Sequence, residues 1–281
     1  MYDELKGFAI LLTFFFVFSA STCEEKVEFG PSVDNFTKEK REKLGDLLKQ
    51  TIADHPAEYP LLNRRSKRDS VITTYLQTLY DQVTQEIRQD RQSTPSNRWN
   101  PNRKWQVFVL HDADRYAFSL PAGHFYVSTG FLGSLSKGYE IYYLMAFEAT
   151  NVSGRYLLDN LIAEYNVSTL LDIVEAQEVS TNPSLLDIVQ ALKRDLAFQD
   201  DVIKEIDRKT GELICETSIF DRLGIQPILE ILSESSQEQY RDTRPSYANR
   251  VAYVNDLNIE GCGSIKSTGL YEKMVLKNLP K

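Results

Sequence analysis

Chemistry at a protein site needs ionisable or metal-ligating side chains brought together, and this chain offers few of the usual ones. It contains three His and three Cys among 281 residues. No two His stand four apart, so the His-x-x-x-His pair by which one helix face grips zinc is absent. His111, Asp112 and Asp114 resemble a ligand cluster, but directly after a strand-like run they read as a polar loop. His124 falls in a Pro-x-Gly turn, and His55 is remote in sequence. Glu148 differs from these. It lies in the apolar run Glu140-Ile-Tyr-Tyr-Leu-Met-Ala-Phe-Glu-Ala-Thr-Asn-Val152, which reads as a buried helix.

Three pieces surround that residue. A strand-like run, Trp105-Gln-Val-Phe-Val-Leu110, alternates in the manner of a half-buried strand. A turn-rich passage follows, Tyr116-Ala-Phe-Ser-Leu-Pro-Ala-Gly-His-Phe-Tyr-Val-Ser-Thr-Gly130, with a second strand at Phe125-Tyr126-Val127. The helix from Glu140 comes last and is predicted to run through Leu158 or beyond. In this order the pieces resemble the catalytic core of the gluzincin metallopeptidases that include CaaX prenyl protease, HtpX, BepA and the Oma-type proteases. There a "NAFxxPGGxIYVxxGLL" passage precedes a helix "ELAAVLAHExxHVxxRH". The resemblance covers roughly residues 71–257 and implies a zincin-like domain whose edge strand holds an extended substrate.

Residue by residue, the resemblance keeps the scaffold and loses the ligands. The five metal-motif positions read Phe147-Glu148-Ala149-Thr150-Asn151. Glu148 stands at the general base, Phe147 and Asn151 at the two His ligands. Phe has no lone pair for a metal, and an Asn amide is a poor zinc ligand. Arg155 matches the family's Arg, and Tyr156 replaces its following His. The third ligand is a Glu in an "ExxAD" motif before a "GYDP" turn, which Gly224-Ile-Gln-Pro227 suits. Counting back from Gly224 places the ligand near Asp207 or Lys209; aligning Asp221 with the motif's Asp places it at Thr217. Neither frame delivers a Glu, and Asp207 would lack His partners. Thr243-Arg-Pro-Ser-Tyr-Ala-Asn-Arg250-Val251 matches the late "THPSxxxRI" element, with Arg244 at its His. In the family that His is placed near the transition-state oxyanion, where an Arg would still supply positive charge; the alternative, and the expected role, is a salt bridge of Arg244 with Glu148 that fills the vacated site.

The rest of the chain frames this core. Lys38 to Ile52 and Ser70 to Arg88 have the apolar spacing of amphipathic helices, with a basic run, Arg64 to Arg68, read as a linker between them. Leucine-rich stretches after residue 157 read as helices around the core. A net charge of −8 argues against broad nucleic-acid binding. Phe8 to Ala20 is apolar and uncharged, too short to span a bilayer comfortably and suited to a signal-peptide core or an anchor. Cys23 stands where a lipoprotein carries its lipidated Cys, behind a poor lipobox; an unmodified Cys is the simpler reading. Cys215 and Cys262 can pair in an exported protein. Sequons begin at Asn35, Asn151 and Asn166; one or two arise by chance at this length, and Asn151 lies inside the expected helix.

The fold expected is α+β, a mostly helical zincin-like metallopeptidase domain with a small antiparallel sheet. Residues 1–22 read as signal or anchor, 23–68 as N-terminal helix and linker, 69–257 as the metallopeptidase-like domain, and 258–281 as a tail. The function expected is a pseudopeptidase that binds polypeptide or a protein partner in envelope or secretory-pathway quality control. Peptide would add along Phe125, Tyr126 and Val127. No cofactor is expected, and membrane association would come through the N-terminal segment. The alternatives are an active zinc metalloendopeptidase using Glu148, and a structural subunit of a larger assembly.

Overall fold

A computed structural model describes residues 36–92, 103–176, 184–194, 199–216, 224–233, 247–257 and 269–280. The chain begins there with α1 (Lys38–Asp54), opened by the Thr37 hydroxyl accepting from the Lys40 N–H. Its Leu44, Leu48 and Ile52, spaced by four, face inward. Helix α2 (Lys67–Gln92) begins inside the basic run and buries Ile72, Leu76, Tyr80, Val83 and Ile87. The basic run is partly structural rather than a free linker: the Arg64 guanidinium donates to the Val107 carbonyl and lies 5.1 Å from the Phe108 ring centre.

Three short strands follow: β1 (Val107–Leu110), β2 (Ala117–Ser119) and β3 (Phe125–Ser128). Their spatial order is β1-β3-β2. β2 and β3 form a hairpin, and β1 pairs with the other edge of β3 in parallel. The sheet is therefore mixed, which corrects the antiparallel pairing expected for β1 and β3. The hairpin turn places Gly123 at φ +85°, and a Cβ there would lie 2.2 Å from the Trp105 indole, so the position requires Gly. One sheet face carries a ladder of stacked rings, Phe108 on Tyr126 at 4.8 Å and Phe118 on Tyr126 at 5.2 Å. On the opposite face Tyr80 of α2 packs 5.7 Å from Phe125.

Helix α3 (Thr129–Ser134) leads to α4 (Gly138–Ser153). Thirteen of the sixteen residues of α4 are buried, which makes it the central helix. It packs against α2, α8 (Asp200–Glu216) and α9 (Ile225–Ser233). The expected continuation to Leu158 is broken: Arg155 takes φ 76°, and α5 (Tyr156–Tyr165) starts anew. Short helices α6 (Val167–Glu175) and α7 (Leu185–Lys193) pack on α1. Gly224 opens α9 against α4, where a Cβ would stand 2.8 Å from the Tyr139 carbonyl. Helices α10 (Tyr247–Asp256) and α11 (Leu270–Met274) complete the described chain, followed by a 3-10 turn at Leu276–Asn278. Residues from α1 to α11 join one hydrophobic core. Among the described residues no helix is long and apolar enough to cross a membrane; the Phe8–Ala20 segment lies outside them.

Candidate functional site

The site is built on α4, and its first turn is firmly fixed. The Glu140 carboxylate accepts from the backbone N–H groups of Ser136 and Lys137, at 2.6 and 2.9 Å, and from the Ser136 hydroxyl at 3.0 Å. Those are the orphan donors of a helix N-terminus, satisfied by a side chain. Two turns on, Glu148 is 7% exposed. It lies close enough to Tyr80 to matter electrostatically: burial first, and then the Glu148 carboxylate, pushes the Tyr80 hydroxyl well above its ordinary range.

Phe147 and Asn151 share the helix face that Glu148 borders. The Arg250 guanidinium of α10 lies over the Phe147 ring, 5.0 Å from its centre. The same guanidinium grips Asp207 of α8 in a two-pronged contact, Nε to Oδ2 at 2.9 Å and Nη2 to Oδ1 at 2.8 Å. The Tyr143 hydroxyl of α4 also donates to Asp207, at 3.3 Å. Asp207 is 0% and Arg250 3% exposed. One buried ion pair thus ties α4, α8 and α10 together. Burial, then the Asp207 charge, raises the Tyr143 hydroxyl far above its ordinary range, so it stays a donor. Asn151 is 3% exposed, and its Oδ1 accepts no hydrogen bond among the described residues. Below this face the Tyr156 hydroxyl accepts from Lys209 at 2.6 Å.

This donor set does not fit zinc. Phe147 offers no lone pair, Asn151 only an amide, and both Asp207 oxygens are engaged by Arg250. Among the described residues no group of three or more His, Cys, Asp or Glu is placed to hold a metal. His111 and Asp114 join no such group. Asp112 organises its loop instead, accepting from Tyr116 at 2.7 Å and Lys193 at 3.2 Å. Arg244, Thr217, Cys23 and Cys262 lie outside the described residues. Cys215 is disulfide-bonded, to a partner outside them.

Peptide addition along Phe125, Tyr126 and Val127 is corrected by the sheet order. β3 is the central strand, with both edges paired, and has no free backbone groups for a guest strand. The outer edge of β1 is closed as well. Leu62 N–H donates to Val109, Arg64 to Val107, and the Gln77 side-chain amide spans the Val107 N–H and the Trp105 carbonyl. The outer edge of β2 differs. The ladder bonds of Tyr116, Phe118 and Leu120 face β3, so the N–H and C=O groups of Ala117 and Ser119 point outward. Among the described residues no backbone hydrogen bond reaches them; Ala117 is half-buried and Ser119 1% exposed, with α4 and α7 packed on the strand.

Sequence reasoning missed the Asp207–Arg250 pair and the strand β2. Arg250 was visible as the Arg of the late element, but nothing in spacing alone showed that its partner lies on α8. No protein-family model matches this chain, and no curated protein matches it.

Proposed function

We propose that this chain is a catalytically inactive relative of the gluzincin metallopeptidases that binds extended polypeptide in the cell envelope or secretory pathway. The observation that carries this reading is the helix face where two zinc ligands would stand. It holds the Phe147 ring beneath Arg250, and Asn151, while Glu148 remains in place beside them. The Asp207–Arg250 pair supports a frame for the third ligand. Arg250 is the Arg of the late element, so its partner Asp207 suits the Asp of "ExxAD". The Glu of that motif then falls on Ile203, which is fully buried and apolar. On this frame two of the three ligand positions, Phe147 and Ile203, have no metal-binding atom, and the third, Asn151, offers only a poor one.

A polypeptide needs no metal to bind here. The outward groups of the half-buried Ala117 suit an extended guest strand, whose backbone would extend the sheet there; Ser119 is 1% exposed and takes no part.

Metal content by mass spectrometry, with casein cleavage by the wild type and Glu148→Gln, tests the first half. We expect zinc well below one per chain and no Glu148-dependent cleavage; one zinc per chain with cleavage lost in Glu148→Gln overturns the reading. Anisotropy with a labelled, unstructured casein peptide tests the second half. Ala117→Pro removes one outward N–H, and the loss of one hydrogen bond weakens binding about 3- to 10-fold. Unchanged affinity would remove β2 as the binding edge.

A further inference from the structure

The three sequons of this chain are not equivalent in the fold. Asn151 is mid-helix in α4 and 3% exposed, and Asn35 lies outside the described residues. Asn166 is exposed and sits at the junction of α5 and α6, and Ser168, the third sequon residue, is exposed too. The Asn166 backbone is fully used: its N–H donates to Ile162 at 2.9 Å and its carbonyl accepts from Leu170 at 3.3 Å. Its side chain makes no capping bond to either helix. The amide is therefore presented to solvent on a rigid corner.

A plainer explanation is the tolerance of Asn for positive φ, since Asn166 has φ 65°. Its ψ of 147° lies outside the left-handed helical well in which that tolerance is found, and the tolerance requires neither an exposed Ser168 two residues on nor a side chain free of local bonds. A separate feature indicates the compartment. Cys215 is disulfide-bonded, which fits an oxidising lumen or an exported protein.

We propose that Asn166 is an N-glycosylation site of this protein and that Asn151 is not. In the transfer, Asn166 Nδ2 forms a bond to C1 of the first sugar of a polyprenyl-diphosphate-linked oligosaccharide. The C1–O bond to the diphosphate breaks, the polyprenyl diphosphate leaves with the bonding pair, and one amide proton passes to a base of the transferring enzyme. The glycan then covers the α5–α6 corner.

The test is expression of the full chain in a eukaryotic secretory host, in an Asn35→Gln background. Mobility is read before and after an amidase that removes N-glycans, and the Asn166 peptide is mapped by mass spectrometry. The expected result is a one-glycan shift that disappears in Asn166→Gln and in Ser168→Ala. It is retained in Ser168→Thr and in Asn151→Gln, which separates loss of the sequon from loss of the fold. An unmodified Asn166 peptide in a chain whose Cys215 is oxidised overturns the proposal. So does a chain that stays in the cytosol with Cys215 reduced.

Discussion

Two buried polar side chains show how much single residues determine here. Asp207 has no solvent to fall back on, so removing Arg250 strands a carboxylate in the core. Arg250→Met is expected to cost about 3–5 kcal/mol, as for other buried pairs broken on one side. Asp207→Leu with Arg250→Met should recover much of that loss, because no charge is then left buried. Chemical denaturation of the four-member cycle measures the coupling, and simple additivity would mean the two charges do not support one another. His124 is the second case. It is 3% exposed, neither ring nitrogen has a hydrogen-bond partner among the described residues, and its Nε2 stays 3.9 Å from Asp46. Burial, then Lys49 and Arg103, holds it at about 4 against an ordinary 6.5, with Asp46 opposing. The native state therefore binds fewer protons than the unfolded chain between those values. Stability is unaffected above 6.5 and falls as pH drops toward 4, by about 3 kcal/mol in all. In His124→Phe that component should vanish; a parallel pH profile for variant and wild type would rule out His124 as its source.

At the scale of elements, the sheet shows why the sequence was only partly legible. Gln77 belongs to α2, yet its side-chain amide completes the outer edge of β1. Its Oε1 accepts from Val107 N–H at 2.9 Å and its Nε2 donates to the Trp105 carbonyl at 3.0 Å. Gln77→Ala leaves both backbone groups without that partner and should cost about 1–3 kcal/mol. Gln77→Glu keeps the acceptor alone and should fall between, by thermal denaturation. No periodicity encodes such a contact, because it depends on where α2 crosses the sheet. The long helices were legible for the opposite reason: Leu44, Leu48 and Ile52, or Ile72, Leu76 and Val83, declare one inward face by spacing alone. β2 was not, since a three-residue strand is too short to show alternation. Without β2, the runs at Val107 and Phe125 read as an antiparallel pair, with the guest's edge on the strand that is central in the fold. The break in α4 was hidden too, because Arg155 adopts a left-handed backbone usually left to Gly or Asn.

The whole molecule, on the proposed reading, poses the question of what remains of a site once its ligands are gone. In the fold, Glu140 fixes the start of α4, and Asp207–Arg250 clamps α8 and α10 to its middle. On the proposed metallopeptidase reading, the side chains at 147, 151 and 203 changed while the elements that carry them stayed in place. That reading makes a constructive prediction. Phe147→His, Asn151→His and Ile203→Glu together should create a three-ligand set on α4 and α8 and bind zinc at about one per chain. Phe147→His with Asn151→His alone should bind far more weakly, lacking the third ligand. Asp207→Glu in place of Ile203→Glu should not rescue it and should destabilise the fold, since Asp207 belongs to Arg250. Zinc titration by calorimetry, with folding checked by circular dichroism, distinguishes these outcomes. A folded triple variant that takes up no zinc would show that α4 and α8 are not arranged as in a metallopeptidase, and the resemblance would then reach no further than the sequence.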